Sequence, residues 1–142
     1  MKDPDCVFCK IVAGEIPSAK LYEDEDVLDF LDINPVNKGH TLIIPKVHSE
    51  NYLEMDEKVT EKCSKIIRKI AKSIMDGIRC DGFNITMNNY PAAGQVVMHS
   101  HFHVIPRFEG DGLKHWPQGK YSDDEDMEDS RKSIEERMDL LK

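Results

Sequence analysis

Hydrophobic positions recur along this chain with two different periods, and together they mark out most of its elements. Between residues 56 and 76, Val59, Cys63, Ile66, Ile67, Ile70 and Ile74 fall at offsets 0, 4, 7, 8, 11 and 15, with lysines on the other side. That spacing predicts an amphipathic helix, with Gly77 as its stop. A shorter helix is expected over residues 6–12, closed by Gly14 and followed by a turn at Pro17. Two strand-like runs, residues 20–22 and 27–31, flank the acidic turn 23–26 and predict a hairpin. Residues 40–45 form a β-branched apolar run suited to a buried strand. From Asp81-Gly82 onward, Phe83, Ile85 and Met87 alternate with Asn84, Thr86 and Asn88, which predicts a half-buried strand. A last strand is expected over residues 99–107, reached through the loop 89–95. Beyond it, Gly110-Asp111-Gly112, Pro117 and Gly119 read as irregular chain pinned by Trp116. A charged helix is then expected from Ser122, with Glu125 completing a capping box and Met127, Ile134, Met138 and Leu141 as a thin docking seam.

The alternation becomes informative in the last strand, His99-Ser100-His101-Phe102-His103-Val104-Ile105. On a β-strand it puts three imidazoles on one side and Phe102 and Val104 on the other. Three rings that each need hydrogen-bond partners make a poor core, so this stretch suggests chemistry. Two mechanisms fit. The imidazoles can bind zinc and activate water, or one of them can act as a nucleophile whose neighbours steady an attacked phosphate. Spacing alone does not decide. Context favours the second: the Gly94-Gln95 loop can offer backbone N–H groups to an anion and Asn88 a neutral amide. His101, flanked on both sides by histidine, is the natural nucleophile. Its second ring nitrogen would have to donate to a fixed acceptor such as a backbone carbonyl.

Composition narrows the partners. The chain of 142 residues carries a net charge of −8, and nine acidic against four basic residues from Tyr121 onward account for −5 of it. No basic stripe offers a footprint for nucleic acid or an anionic membrane, and no run approaches the ~20 apolar residues of a membrane span. The N-terminus lacks the apolar stretch of a signal peptide, so the expectation is a soluble, cytoplasmic protein. Four cysteines in such a protein argue against a disulfide framework. Cys63 falls on the helix stripe as a core residue, whereas Cys6 and Cys9 share a helical face in a Cys-x-x-Cys, by itself a weak metal signal.

The triad His99-Ser100-His101-Phe102-His103-Val104-Ile105 resembles the motif of the histidine triad (HIT) superfamily, with Ser100 where an apolar residue is usual. Further resemblance lies in Phe8-Cys9-Lys10-Ile11-Val12-Ala13-Gly14-Glu15-Ile16-Pro17, Phe30-Leu31-Asp32-Ile33-Asn34-Pro35, Gly39-His40-Thr41-Leu42-Ile43-Ile44-Pro45-Lys46 and Gly94-Gln95. Trp116-Pro117 is similar to the C-terminal segment of its Hint branch. The resemblance implies an α+β fold: a mainly antiparallel sheet of about five strands, two main helices and a C-terminal helical tail. It divides the chain into a HIT domain, residues 1–110, and an extension with an acidic helix, residues 111–142. It also implies a symmetric homodimer whose sheets join across the interface.

For function, it implies a hydrolase or transferase that attacks the α-phosphate of adenosine or guanosine nucleotides, such as phosphoramidates, through a nucleotidyl-histidine. His101 would be the nucleophile, His103 would bind an α-phosphate oxygen and His40 would support the cluster. Asp32 would hold the ribose hydroxyls, although it could equally cap the turn before Pro35. Asn88, Gly94, Gln95 and Val96 would cradle the phosphate and leaving group, Val96 standing where a hydroxyl side chain is common. Cys6, Cys9, His48 and His99 would hold a structural zinc, closed by four protein ligands. No organic cofactor is implied. Diadenosine polyphosphate hydrolysis and a weakly catalytic nucleotide-binding module are the alternatives.

Overall fold

The computed structural model describes residues 3–141, arranged as two compact units that meet between Asp111 and Gly112. The first is an α+β unit whose five strands are β1 (Lys20–Glu23), β2 (Val27–Leu31), β3 (Thr41–Pro45), β4 (Gly82–Thr86) and β5 (Phe102–Arg107). Every adjacent pair is antiparallel and the order is β1-β2-β3-β5-β4. Strand alternation sorts the core into two layers. Val27, Ile43 and Val104 face α2 (Glu57–Ile78) and meet Cys63, Ile66, Ile67, Ile70 and Ile74. Leu28, Phe30, Leu42 and Ile44 face the other way and pack against Phe8 and Ile11 of α1 (Val7–Val12).

The helical stripe is where its spacing placed it, but α2 runs past Gly77 to Ile78 and ends at Arg79 in the left-handed region, φ 58°. Ile78 packs on the core, which carries the helix through the glycine. Asp56 caps the other end by accepting from the Val59 N–H.

Strand β4 differs more. It is an edge strand, and Phe83 and Ile85 are exposed rather than half buried.

Strand β5 starts at Phe102, three residues later than expected, so only His103 of the triad lies on a regular strand. The register explains this. Phe102 pairs with Ile43, and two residues further along β3 stands Pro45, which has no N–H to continue the ladder. His99 and Ser100 instead bond to the carbonyls of Pro45 and Ser49, and His101 to that of His99, outside the strand pairing.

The second unit carries α3 (Asp124–Leu140). Its cap is Asp123, accepting from Asp126, one residue later than the expected Ser122 and Glu125. Met127, Ile134, Met138 and Leu141 are exposed, as is Trp116.

Candidate active site and metal centre

Each of four histidines is fixed in one tautomer by a neighbour whose hydrogen-bonding role is not negotiable. The Val36 N–H donates to Nδ1 of His40 at 3.1 Å, so a neutral His40 carries its proton on Nε2. That Nε2 lies 2.8 Å from Nδ1 of His103, which therefore accepts and leaves the His103 proton on Nε2. His101 Nδ1 donates to the His99 carbonyl at 2.6 Å, leaving its Nε2 lone pair free. His99 donates from Nε2 to the Pro45 carbonyl at 2.8 Å, so its Nδ1 lone pair is free as well.

Burial keeps all four rings neutral: it lowers the pKa of His40 and His101 and pushes His99 and His103 down to about 4. The rings of His101 and His103 are 5.0 Å apart, and together they present one free lone pair beside one N–H donor.

These two rings form the polar end of a cleft of about 640 Å³. Phe8, Ile11, Ile16, Phe30 and Leu42 give it an apolar wall, while Asp32, Asn88, Gly94 and Val96 line its rim. Asp32 has the turn-capping role that its sequence context allowed. One oxygen accepts from the Asn34 N–H at 2.9 Å, and the other lies 3.7 Å from His40 Nε2, on the cleft side.

Gln95 does not face the cleft. Its Oε1 accepts from the Tyr90 N–H, and its Nε2 donates to the Glu50 and Val97 carbonyls. The main-chain N–H groups of Gly94 and Gln95 are also engaged within the loop, by Pro91 and Tyr90. Gln95 therefore braces the loop from behind, and the cradle expected from these two N–H groups is not formed. Asn88 is held against the loop through the Gly94 carbonyl at 3.3 Å, and Val96 is exposed.

The second cluster lies behind the triad. Cys6, Cys9, His48 and His99 bring one ligand atom each within 4.8 Å of one another. A tetrahedral zinc with ordinary Zn–S and Zn–N bonds separates sulfur from nitrogen by roughly 3.6 Å. Here Cys6 Sγ to His99 Nδ1 is 3.4 Å, Cys9 Sγ to His48 Nδ1 is 3.4 Å and Cys9 Sγ to His99 Nδ1 is 3.6 Å. Burial also raises the pKa of the Cys6 thiol, so its thiolate form calls for a cation beside it. Geometry, free lone pairs and chemistry all fit a metal ion.

Asp32, His40 and His103 also cluster within 4.8 Å. There, however, Val36 holds the His40 proton on Nε2, between the two rings, where a metal would have to sit. That set is a proton-ordered relay. His99, His101 and His103 do not converge on one ion either, because His99 Nδ1 faces the sulfurs while His101 Nδ1 faces the His99 carbonyl.

Sequence reasoning missed the braces. Ser100 is fully buried, with its N–H and hydroxyl donating to the Ser49 carbonyl and its Oγ accepting from Ser49 Oγ. A serine in an apolar position of the triad, with another just after His48, is the signal that could have found this pair. The Val36 N–H and Pro45 carbonyl left none, since any residue supplies such groups.

Comparison with known proteins finds clear relatives of this chain. Protein hit of Bacillus subtilis is 47% identical over 139 residues, covering 94% of each chain. An adenylylsulfatase of Arabidopsis thaliana is 47% identical over 109 residues, 77% of this chain and 55% of its own. An adenosine 5′-monophosphoramidase of Schizosaccharomyces pombe is 43% identical over 102 residues, 72% of this chain and 74% of its own. Among solved structures, a Streptococcus mutans protein superposes with a TM-score of 0.90 at 44% identity, covering 96% of this chain and 87% of its own. A zinc-bound histidine triad family protein of Mycobacterium smegmatis gives 0.74 at 39% identity, covering 82% and 84%. The HIT domain family matches residues 13–110, the stretch that holds the hairpin, the relay and the triad, and the chain belongs to that family.

Proposed function

We propose that the protein is a nucleotide hydrolase or transferase acting on purine nucleoside monophosphate derivatives, phosphoramidates foremost, through a nucleotidyl-histidine. The observation that carries this reading is the paired tautomer state: a free Nε2 lone pair on His101 beside an Nε2–H on His103, at the polar end of an apolar cleft. His101 Nε2 attacks the α-phosphorus, and the bond to the leaving group breaks with its electron pair on the leaving atom, which takes a proton from water. His103 donates to a phosphate oxygen as charge builds there, and His40 keeps the His103 proton on the outward nitrogen. Water then cleaves the phosphorus–nitrogen bond, returning His101 and releasing the nucleoside monophosphate. Asp32 holds the ribose hydroxyls, the apolar wall takes the base, and Asn88 with the 94–96 loop borders the leaving group.

Family members named for phosphoramidate and adenylylsulfate cleavage support this class. Dinucleoside polyphosphates are the competing substrates. Among the described residues no lysine or arginine lines the cleft, which favours a single reacting phosphate over a polyanionic chain. Turnover of an adenosine phosphoramidate and of diadenosine polyphosphates, measured side by side, tests the choice: the account expects the phosphoramidate to have the higher kcat/KM. Binding of nucleotide with turnover of neither would make the protein a binding module instead.

We further propose that zinc is the metal of Cys6, Cys9, His48 and His99, that it is structural, and that the protein is a cytoplasmic homodimer. A structural role follows from four protein ligands, which leave no open position for substrate. The zinc-bound relative supports the identity of the ion. Support for the dimer comes from the β4 edge, where exposed Phe83 and Ile85 adjoin Phe102 and, on α2, Ile67 and Ala71. An edge strand with an apolar row beside a helix face suits two-fold pairing.

A further inference from the structure

The metal cluster and the substrate cleft share one element, the six-residue helix α1. Cys6 caps it, accepting from the Cys9 N–H, and Cys9 follows one turn on. Between these two ligands stands Phe8, whose ring lies edge-on to His101 at 5.1 Å, to His99 at 5.8 Å and to Phe30 at 5.7 Å. Val7, Phe8 and Ile11 of the same helix form part of the cleft wall. His99 and Ser100 are braced from the sheet side by the Pro45 and Ser49 carbonyls, through bonds that use none of the four metal-ligating atoms. The position of α1 depends on less: its apolar packing, the ring contacts of Phe8, and the links from its two sulfurs to His48 and His99. A helix this short does not hold its own shape in water.

We propose that α1 is a metal-held wall of the cleft and that Phe8 is a positioning residue for His101, so that metal and nucleotide binding reinforce each other. The nucleotide half of this inference rests on the function proposed above. Ligation ties both ends of the first turn of α1 to imidazoles on the sheet side. Its loss lets the turn relax, and Phe8 moves off the edge of His101. A nucleotide packed against Val7, Phe8 and Ile11 favours the seated position of the helix. Linkage then requires nucleotide to tighten metal binding by the same factor as metal tightens nucleotide binding.

The test uses the full chain, zinc and adenosine 5′-monophosphate. Zinc affinity is measured by competition with a chelating dye, with and without the nucleotide, and the ring-proton NMR signals of His101 and His40 are followed as zinc is removed. The expected result is a zinc affinity raised at least fivefold by the nucleotide, as is usual for coupled sites, and His101 signals that shift on zinc removal while those of His40 stay in place. Phe8→Ala keeps all four ligands, so it should still bind zinc but lose most of the reinforcement. If the nucleotide binds yet zinc affinity changes less than twofold, the reinforcement is wrong. If the His101 signals do not move, or move together with those of His40, Phe8 is not the link. Failure of the zinc-loaded protein to bind nucleotide would sink the functional reading instead, and the His101 signals would still decide whether α1 is metal-held.

Discussion

Asp29 lies on β2 between Leu28 and Phe30, fully buried, with neither carboxylate oxygen hydrogen-bonded. Burial, aided by the negative charge of Asp24, pushes its pKa up to about 7 from an ordinary aspartate value of 3.8. The carboxyl also faces Cys63 of α2, whose thiol pKa burial and the nearby aspartates push up to about 12. Because the folded pKa is the higher one, the native state holds this proton more tightly than the unfolded chain. The contribution to stability is therefore intact below about pH 4, falls as pH rises, and is lost once pH passes 7. A span of about 3 pH units at 1.36 kcal/mol each gives about 4 kcal/mol. Asp29→Asn keeps the shape and removes the charge, so relative to wild type it should gain about 4 kcal/mol between pH 4 and pH 8, roughly 10 °C in Tm. Denaturant melts of both proteins across that range measure the difference, in which the opposing contributions of the buried histidines cancel. A difference independent of pH would refute the reasoning and show that water or a cation reaches Asp29.

Three other outcomes follow from the site. Since burial lowers the pKa of both His101 and His103, the acid limb of kcat/KM should have its midpoint below pH 6.5; a midpoint at or above that value would mean the rings are solvated. Cys9→Ser should cut zinc affinity at least tenfold and lower Tm, as read by metal analysis and calorimetry, because Cys9 lies within 3.6 Å of both His48 and His99. Gln95→Ala should cost about 1–3 kcal/mol of stability by leaving the Glu50 and Val97 carbonyls and the Tyr90 N–H without their partner. Chemical denaturation of the variant checks it.

The parts of this molecule that were legible in its sequence are those set by side-chain pattern. The stripe of α2 and the continuous apolar runs of β2 and β3 follow from burial, and burial is what hydrophobic spacing records. The Cys6, Cys9, His48 and His99 cluster was expected from family resemblance, and its atoms do come together. What was not legible depends on main-chain groups and on what covers a face. The late start of β5 follows from Pro45 opposite the triad, which only the strand register reveals. The tautomers of His40 and His99 are set by an amide and a carbonyl that every sequence contains. Phe83 and Ile85 read as the buried side of a strand because they alternate correctly, yet they sit on an edge strand and stay about half exposed.

The central claim is that His101 carries the nucleotidyl group while His103 and His40 remain unmodified. Brief reaction with an adenosine phosphoramidate labelled at the α-phosphorus, followed by alkaline quench and peptide mapping, tests it most directly. The account predicts label on His101 alone and its disappearance in His101→Ala along with turnover. Label on another residue, or undiminished turnover by His101→Ala, would contradict it.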